Sequence, residues 1–526
     1  MSREQNLARF RELERTNGLQ PSEQQSCDDV VTWLHRQGLT AEGGHRLSSD
    51  SRALSEGDVF VAYAFDGQHD GRDHLASALS KNVGAVLWQA GREINTDAPH
   101  RVLERLNQYA GHIAHNYYQA PSDAMAVIAI TGTNGKTSSA QWLAQLLNAS
   151  GQRCAIMGTL GVGFVGAMRE TGFTTPQAIE VHGLLHQLRE ENAQAVAMEV
   201  SSHALEQGRV NGVDFNVALF TNLSRDHLDY HGGMDEYEAA KAKLFTWQGL
   251  KVAVINTDDE AGMRMAQIAN ANDIRVIGYG VEPEPIGVSM YLRATDINQS
   301  GACTTFVVGA RGEQHHVQSR LVGQFNVMNL LGVLGVMTAM GYGLEVVVPL
   351  CADIEAAPGR MQRFGGEDTP LVVVDFAHTP DALDKTLVAL QAIAKQRAGR
   401  LTCVFGCGGD RDAGKRPQMG RIAAERSDCV WVTSDNPRTE NPDDILAQIR
   451  VGVDEVKRAN LSVHQEVDRR LAINQAVSEA CNQDVILIAG KGHEAYQDIM
   501  GVKHPYSDLE QVAAALAARA SLSEKE

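Results

Sequence analysis

Apolar residues along the chain fall into two textures. Short β-branched runs bounded by glycine or polar residues read as buried strands. They occur at 59–62 and 84–88, at 126–130, 195–200, 215–220 and 252–255, and at 371–375, 401–405, 430–433 and 485–488. Between them, apolar residues recur at helical spacing. After 126–130 come Trp142, Leu143, Leu146 and Leu147, with Gly151 as a stop. Over 234–245, Tyr237, Lys241 and Leu244 share one helical face while Lys243 points elsewhere. Late in the chain, strand and amphipathic helix alternate, which predicts a doubly wound parallel sheet with ligands at the carboxyl ends of its strands. Asp375, Gly406, Asp435 and Gly490 all fall at such ends. No internal repeat or low-complexity stretch stands out, and the tail 521–526 reads as frayed.

Composition narrows the class. At 526 residues the chain is too long for one core. The texture divides it into three α/β domains, 1–106 (with roughly the first 25 residues an extension), 107–356 and 357–526. A net charge of −18 argues against a nucleic-acid partner. No apolar run is long enough to span a bilayer, and residues 1–25 lack the apolar core of a secretory signal. The eight cysteines are scattered, and Cys403 and Cys407 lack paired metal-ligand spacing. The expectation is a cytoplasmic monomer with reduced thiols that acts on small molecules, with no membrane partner.

The chemistry begins at Thr131-Gly-Thr-Asn-Gly-Lys-Thr137, between a strand and a helix. Glycines let backbone N–H groups turn toward phosphates, and the following helix offers its positive end. Lys136 is placed to reach the outer phosphates and the Thr137 hydroxyl to bind Mg²⁺. Ile130 stands where the usual pattern has its first glycine, so the loop is a variant.

Two further segments carry metal-capable groups. Glu199 ends a strand whose preceding residues, Ala195 to Met198, are apolar, which weakens the reading of a solvated strand-end charge. The segment Asn222-Leu-Ser-Arg-Asp-His-Leu-Asp-Tyr-His231 is dense in imidazole and carboxylate. A single histidine is more often structural; two beside two aspartates tilt toward a site. On its partly apolar face Lys241 would have a lowered pKa, and a neutral amine reacts with CO₂ to give a carbamate, an anionic metal ligand. From spacing alone the simpler reading is a lysine laying its stem along apolar neighbours.

At this point the chain resembles the Mur ligase family, cytoplasmic enzymes that build the peptide stem of peptidoglycan. The resemblance covers nearly everything after residue 45. It rests on the phosphate loop, Glu199-Val-Ser-Ser-His203, Asp226-His-Leu-Asp-Tyr-His231, Ala240-Lys241, Gly323-Gln-Phe-Asn-Val-Met-Asn329, Pro358-Gly-Arg-Met361, Asp375-Phe-Ala-His-Thr-Pro-Asp381 and Gly490-Lys-Gly-His-Glu494, in that order. It implies a UDP-sugar-binding first domain, a central ATP-binding domain and a Rossmann-like third domain for the incoming amino acid. It also implies ATP as co-substrate and two Mg²⁺ ions, with Thr137 a ligand of the first. Glu199, His227 and a carbamylated Lys241 match the remaining ligands, which reverses the simpler reading of Lys241. Gly132, Thr133, Asn134, Gly135, Lys136, Thr137 and Ser138, with Asn329 and Arg360, match the nucleotide contacts. Ser51, Gln68, His69 and Asp70 match the UDP stretch. Thr174, Thr175, Ser201, Gln207 and Arg209 match residues that hold the muramoyl-dipeptide. His378 is a candidate for assisting the amine.

Within the family, Gly406-Cys-Gly-Gly-Asp-Arg411 followed by Asp435-Asn-Pro-Arg438 resembles the branch that adds meso-diaminopimelate to UDP-MurNAc-L-Ala-D-Glu. The implied pocket is Arg411, Asp435, Asn436, Pro437, Arg438, Gly490 and Glu494. An arginine fork pairs the second carboxylate of diaminopimelate, which lysine lacks. As an isolated tetrapeptide, Asp-Asn-Pro-Arg reads as a turn. The chain departs from the family pattern at Phe173, Phe376 and Gln362. Two rivals stand beside this reading. One is a related ligase with another acceptor, such as the L-lysine-adding enzyme or folylpolyglutamate synthase. The other is a nucleotide-dependent switch without ligation, which would have no need of a second metal site.

Overall fold

The computed structural model describes residues 17–65, 69–300, 303–366 and 368–523. Among these residues the strands form three main sheets of four, eleven and six strands and one separate two-stranded hairpin.

The first sheet runs in chain order, Leu47–Ser48, Val59–Ala62, Ala85–Gln89 and His100–Leu103, all parallel. Helix Pro21–Arg36 buries Cys27, Val30, Val31 and Leu34, the i, i+3, i+4, i+7 stripe of one helical face, in the same core as Ala110, Ile113 and Ala114 of helix Leu106–Tyr117. That first helix begins inside the stretch read as an extension.

The central sheet has a parallel heart. Strand Ala126–Thr131 lies between Val217–Phe220 and Ala195–Glu199, and Val252–Asn256 and Arg275–Gly280 continue it on one side. Helices cover both faces, so these strands are apolar at nearly every position rather than alternating. Antiparallel pairs extend both edges: 290–300, 303–310 and 313–319 on one, and 161–164 with 167–169 beyond Cys154–Gly158 on the other.

The third sheet has the order Gln362–Gly365, Leu371–Asp375, Val485–Ala489, Leu401–Phe405, Cys429–Thr433, Ser462–Glu466. It is parallel except for the antiparallel edge strand 362–365. Helices Pro380–Gln396, Lys415–Arg426 and Pro442–Glu455 pack on one face; Arg469–Glu479 and Asp508–Ser523 pack on the other. This is the doubly wound arrangement that the alternating pattern predicts.

Three local differences from the sequence reading have physical causes. Strands 362–365 and 462–466 are half-buried edge strands with polar residues, so no apolar run marks them. The helical pattern over 234–245 divides into an α-helix Met234–Ala242 and a 3₁₀ turn Lys243–Thr246. The strand expected at 215–220 starts at Val217, because Asn216 is spent bracing the neighbouring strand: its Oδ1 accepts from Val127 N at 2.8 Å. The eight cysteines are free thiols. No helix among the described residues is long and apolar enough to cross a membrane.

Candidate active site

The phosphate loop leaves the central sheet at its carboxyl edge. Ile130 is still inside the sheet, in register with Glu199, which accounts for its being a strand residue and not a glycine. The turn falls on Gly132, at φ +144°, where a Cβ would strike the Thr221 hydroxyl. Gly135, at φ +88°, closes the loop, and a Cβ there would strike the Asn329 amide. Helix Lys136–Ala149 follows. A neighbouring strand end braces the loop: Thr133 N donates to Asn222 O at 2.8 Å, Asn134 N to Asn222 Oδ1 at 3.0 Å, and Thr221 Oγ1 to Asn134 O at 2.6 Å. Lys136 folds back and donates to Gly132 O at 2.8 Å and Thr133 O at 2.9 Å. Burial holds its pKa below the ordinary lysine value.

Glu199 is 1% exposed, and its carboxylate faces the loop. Thr137 Oγ1 donates to Oε2 at 2.9 Å, Thr159 Oγ1 to Oε2 at 3.1 Å and Thr159 N to Oε1 at 2.9 Å. Gly158 makes room, since a Cβ there would collide with that carboxylate. Lys241 is also 1% exposed, and its Nζ donates to Gly132 O at 3.0 Å and lies 4.5 Å over the Tyr237 ring. The amine itself is inside, so the surface-lysine reading fails. Burial, reinforced by the nearby Lys136 charge, holds its pKa well below the usual lysine range. His227 adopts a left-handed φ of 54°, which turns its ring over the edge of Tyr237, 6.2 Å between centroids. Desolvation lowers its pKa to about 4, so the imidazole is neutral at pH 7 and able to donate a lone pair. A hydroxyl, a buried carboxylate, a neutral imidazole and a buried amine with a lowered pKa around one phosphate loop fit an oxygen-rich Mg²⁺ site completed by a carbamate.

Two cavities meet beside the loop. One, of about 950 Å³, is lined by Asn134, Gly135, Ser138, Asn329, Arg360 and Phe376 among others. Arg360 stacks 4.3 Å over Phe376 and donates to Thr137 Oγ1 at 3.3 Å. The other, of about 780 Å³, takes in His227, Arg411, Asp435, Asn436, Arg438, Gly490 and Glu494. Phe376 and His378 line both. His378 Nδ1 lies 2.9 Å from Phe376 O, and burial lowers its pKa. The third domain also reaches the loop directly, where Asn134 Nδ2 donates to Asp381 Oδ2 at 3.4 Å.

The Asp435–Arg438 segment is more than a turn. The hairpin Tyr496–Ile499 and Val502–Pro505 buttresses it: Gln497 Nε2 donates to Asp435 O at 2.7 Å, Arg438 N to Asp498 O at 3.0 Å and Met500 N to Arg438 O at 2.7 Å. Arg438 takes φ 49°, and its Nη1 donates to Gly409 O at 2.6 Å, tying it to the loop that carries Arg411. Pro437 fixes the bend between Asn436 and Arg438.

On the far side of Glu199 lies a chain of hydroxyls. Thr159 Oγ1 and Thr174 Oγ1 are 3.1 Å apart, and Thr175 Oγ1 donates to Glu199 O at 2.8 Å and to Ser201 Oγ at 3.4 Å. Arg209 donates to Gln207 Oε1 at 2.8 Å and Thr175 O at 3.1 Å. Its guanidinium lies 5.5 Å over Phe173, which is half-exposed. The expected UDP residues sit apart, on the first sheet. Ser51 is buried there. The Asp70 carboxylate is already engaged by Arg72 at 2.7 Å and Arg92 at 3.0 Å, which hold its pKa at about 2. His69 O accepts from Phe65 N at 2.9 Å. Gln68 lies outside the described residues. Sequence reasoning passed over Thr159 and named Asn222 and Lys491 only within longer motifs, with no role of their own. Thr159 carried one signal, its place directly after a strand and a glycine.

The chain matches the Mur ligase middle domain over residues 130–337 and the domain described as "Mur ligase, glutamate ligase domain" over 359–492. A Ralstonia nicotianae protein named UDP-N-acetylmuramoyl-L-alanyl-D-glutamate–2,6-diaminopimelate ligase is 50% identical over 93% of this chain and 96% of its own length. The chain belongs to the Mur ligase family. The Pseudomonas aeruginosa protein of the same name is 46% identical over 90% of the chain and 95% of its own. A solved structure with that name superposes at a TM-score of 0.64, with 37% identity, covering 90% of this chain and 95% of that one. Mur ligases are ATP-dependent, so the phosphate loop belongs to a ligase and not to a switch.

Proposed function

We propose that this Mur ligase adds meso-2,6-diaminopimelate to UDP-MurNAc-L-Ala-D-Glu, converting ATP to ADP and phosphate. The observation that carries the reading is the pair of adjoining cavities. The one beside the phosphate loop suits the nucleotide, and the one holding Arg411, Arg438, Asn436 and Glu494 suits a diamino diacid. Phe376 and His378 form their common wall. The relatives' names point the same way.

A carboxylate is a poor acyl donor because oxide is a poor leaving group. ATP supplies a better one. The side-chain carboxylate of D-glutamate attacks the γ-phosphorus, ADP departs, and an acyl-phosphate remains. Lys136 swings from the loop carbonyls to the transferring phosphate. Thr137 and Glu199 would hold one Mg²⁺, and Glu199, His227 and a carbamylated Lys241 the other; when bound, these ions neutralise the charge on the phosphates. Gly132, Thr133, Asn134, Gly135 and Ser138 cradle the phosphates, and Asn329 and Arg360, beside the loop, hold the adenine nucleotide. Thr174, Thr175, Ser201, Gln207 and Arg209 hold the dipeptide, with Ser51, His69 and Gln68 toward the UDP. Asp70, locked by two arginines, shapes that stretch from behind. An amine of diaminopimelate then attacks the acyl carbon, phosphate leaves, and the amine's proton is lost, with His378 placed to accept it. We further propose a domain limit at 356/357, a monomeric state and a cytoplasmic location; the first limit, read at 106/107, moves past helix Leu106–Tyr117, whose buried face shares the first domain's core.

The acyl-phosphate gives the test. With ATP, Mg²⁺ and UDP-MurNAc-L-Ala-D-Glu but no amino acid, hydroxylamine should trap an acyl hydroxamate as ADP forms. ADP formation without hydroxamate would refute the intermediate.

A further inference from the structure

Lys491 lies directly behind the amino-acid cavity. It follows strand Val485–Ala489, between Gly490 and Gly492, and its side chain is 0% exposed. It is absent from the cavity wall, whereas Asn436 and Glu494 are part of it. A buried ammonium must have partners, and its two are these residues. Nζ donates to Asn436 Oδ1 at 2.9 Å and to Glu494 Oε2 at 2.8 Å. Its charge also lies 5.7 Å from the Tyr496 ring centre and 5.9 Å from that of Tyr506.

These contacts fix two orientations. Asn436 Oδ1 also accepts from Asp498 N at 2.9 Å, so two donors pin the amide oxygen inward. Asn436 Nδ2 is therefore turned to Glu494 Oε2, at 2.8 Å. Glu494 Oε2 accepts from both Lys491 and Asn436, while its Oε1 has no protein partner among the described residues. One carboxylate oxygen is consumed behind the cavity and the other is left for a ligand in it.

We propose that Lys491 is the positioning residue for the amine-recognition end of this cavity. It anchors Glu494 and the Asn436 amide so that Glu494 Oε1 receives the non-reacting ammonium of a diamino diacid. Without Lys491, Glu494 keeps one hydrogen bond from Asn436 and loses the charge that holds it in one rotamer. The inference rests on the proposed amino-acid substrate.

The test compares two amines on the full-length protein, with ATP and UDP-MurNAc-L-Ala-D-Glu saturating. One is meso-diaminopimelate. The other is 2-aminopimelate, which keeps one amine and both carboxylates but lacks the second amine. In Lys491→Met the KM for meso-diaminopimelate should rise roughly 10- to 100-fold, the loss of a charge-assisted hydrogen bond. The KM for 2-aminopimelate, and the KM for ATP when ATP is varied at saturating 2-aminopimelate, should stay within about threefold, so the preference for the second amine collapses. Lys491→Arg keeps the charge and should retain part of the preference. If the methionine variant fails to fold, the arginine variant decides: its KM rise must be confined to meso-diaminopimelate. Equal KM increases for both amines, or no change in either, would overturn the role. Failure of the unmodified protein to use meso-diaminopimelate at all would instead strike the proposed function.

Discussion

Lys241→Ala is expected to lower kcat by roughly 10³-fold or more, because several kcal/mol of charge stabilisation on the transferring phosphate are lost with the metal ligand. The residue is 1% exposed, burial holds its pKa well below the usual lysine range, and its amine donates to the carbonyl of the loop glycine. An ion-pairing lysine would touch a carboxylate; among the described residues this one touches Tyr237 and a carbonyl, with Asp226 acting on it only from a distance. Such a site suits an amine that reacts with CO₂. Short carboxylates added to the alanine variant should restore part of the rate by occupying the vacated space as anionic ligands. Lys241→Arg should not recover, since a guanidinium stays cationic and forms no carbamate. Steady-state ADP release with and without added carboxylate measures this, and near-normal turnover in the alanine variant would rule the carbamate out.

Arg438→Ala should cost about 10²- to 10³-fold in kcat/KM for meso-diaminopimelate, the consequence of stranding a carboxylate that a bidentate arginine had paired. Any use of L-lysine should be little affected or improved, because lysine has no second carboxylate and its ammonium would no longer face the arginine. Arg438 is held ready by its backbone: φ 49°, with Asp498 and Met500 bonded on either side and the guanidinium tied to Gly409. Lysine at 438 should recover little, having charge without the fork. Competition kinetics with the two amino acids report the ratio. An equal loss for both, or a matching rise in the KM for ATP, would show that the change had only disturbed the fold.

Local patterns made much of this molecule legible. The parallel strands 126–131, 195–199 and 485–489 are covered on both faces, so their residues are almost uniformly apolar. The phosphate loop is contiguous, and Glu199 stood out as a carboxylate closing an apolar run. The polar edges were illegible for the opposite reason: strand 462–466 is only half-buried and strand 313–319 exposes much of its length. Residues whose task arises from sheet order were also hidden. Thr159 is an ordinary threonine until 154–158 pairs with 195–199 and places it against Glu199. For Lys241, periodicity gave the face but not the depth. For Asp70, the motif matched the UDP stretch, but only tertiary contact with Arg92 shows its carboxylate already in use. Lys491 enters the sequence reading only as a member of Gly490-Lys-Gly-His-Glu494, and only the packed third domain shows it buried.

The most direct measurement supplies the protein with ATP, Mg²⁺ and UDP-MurNAc-L-Ala-D-Glu and compares meso-diaminopimelate with L-lysine for phosphate release. Discrimination by a bidentate carboxylate contact predicts a preference of roughly 10²-fold or more for meso-diaminopimelate, with one phosphate per tripeptide formed. Equal rates with the two amino acids would contradict the specificity, and no release with either would contradict the ligase itself.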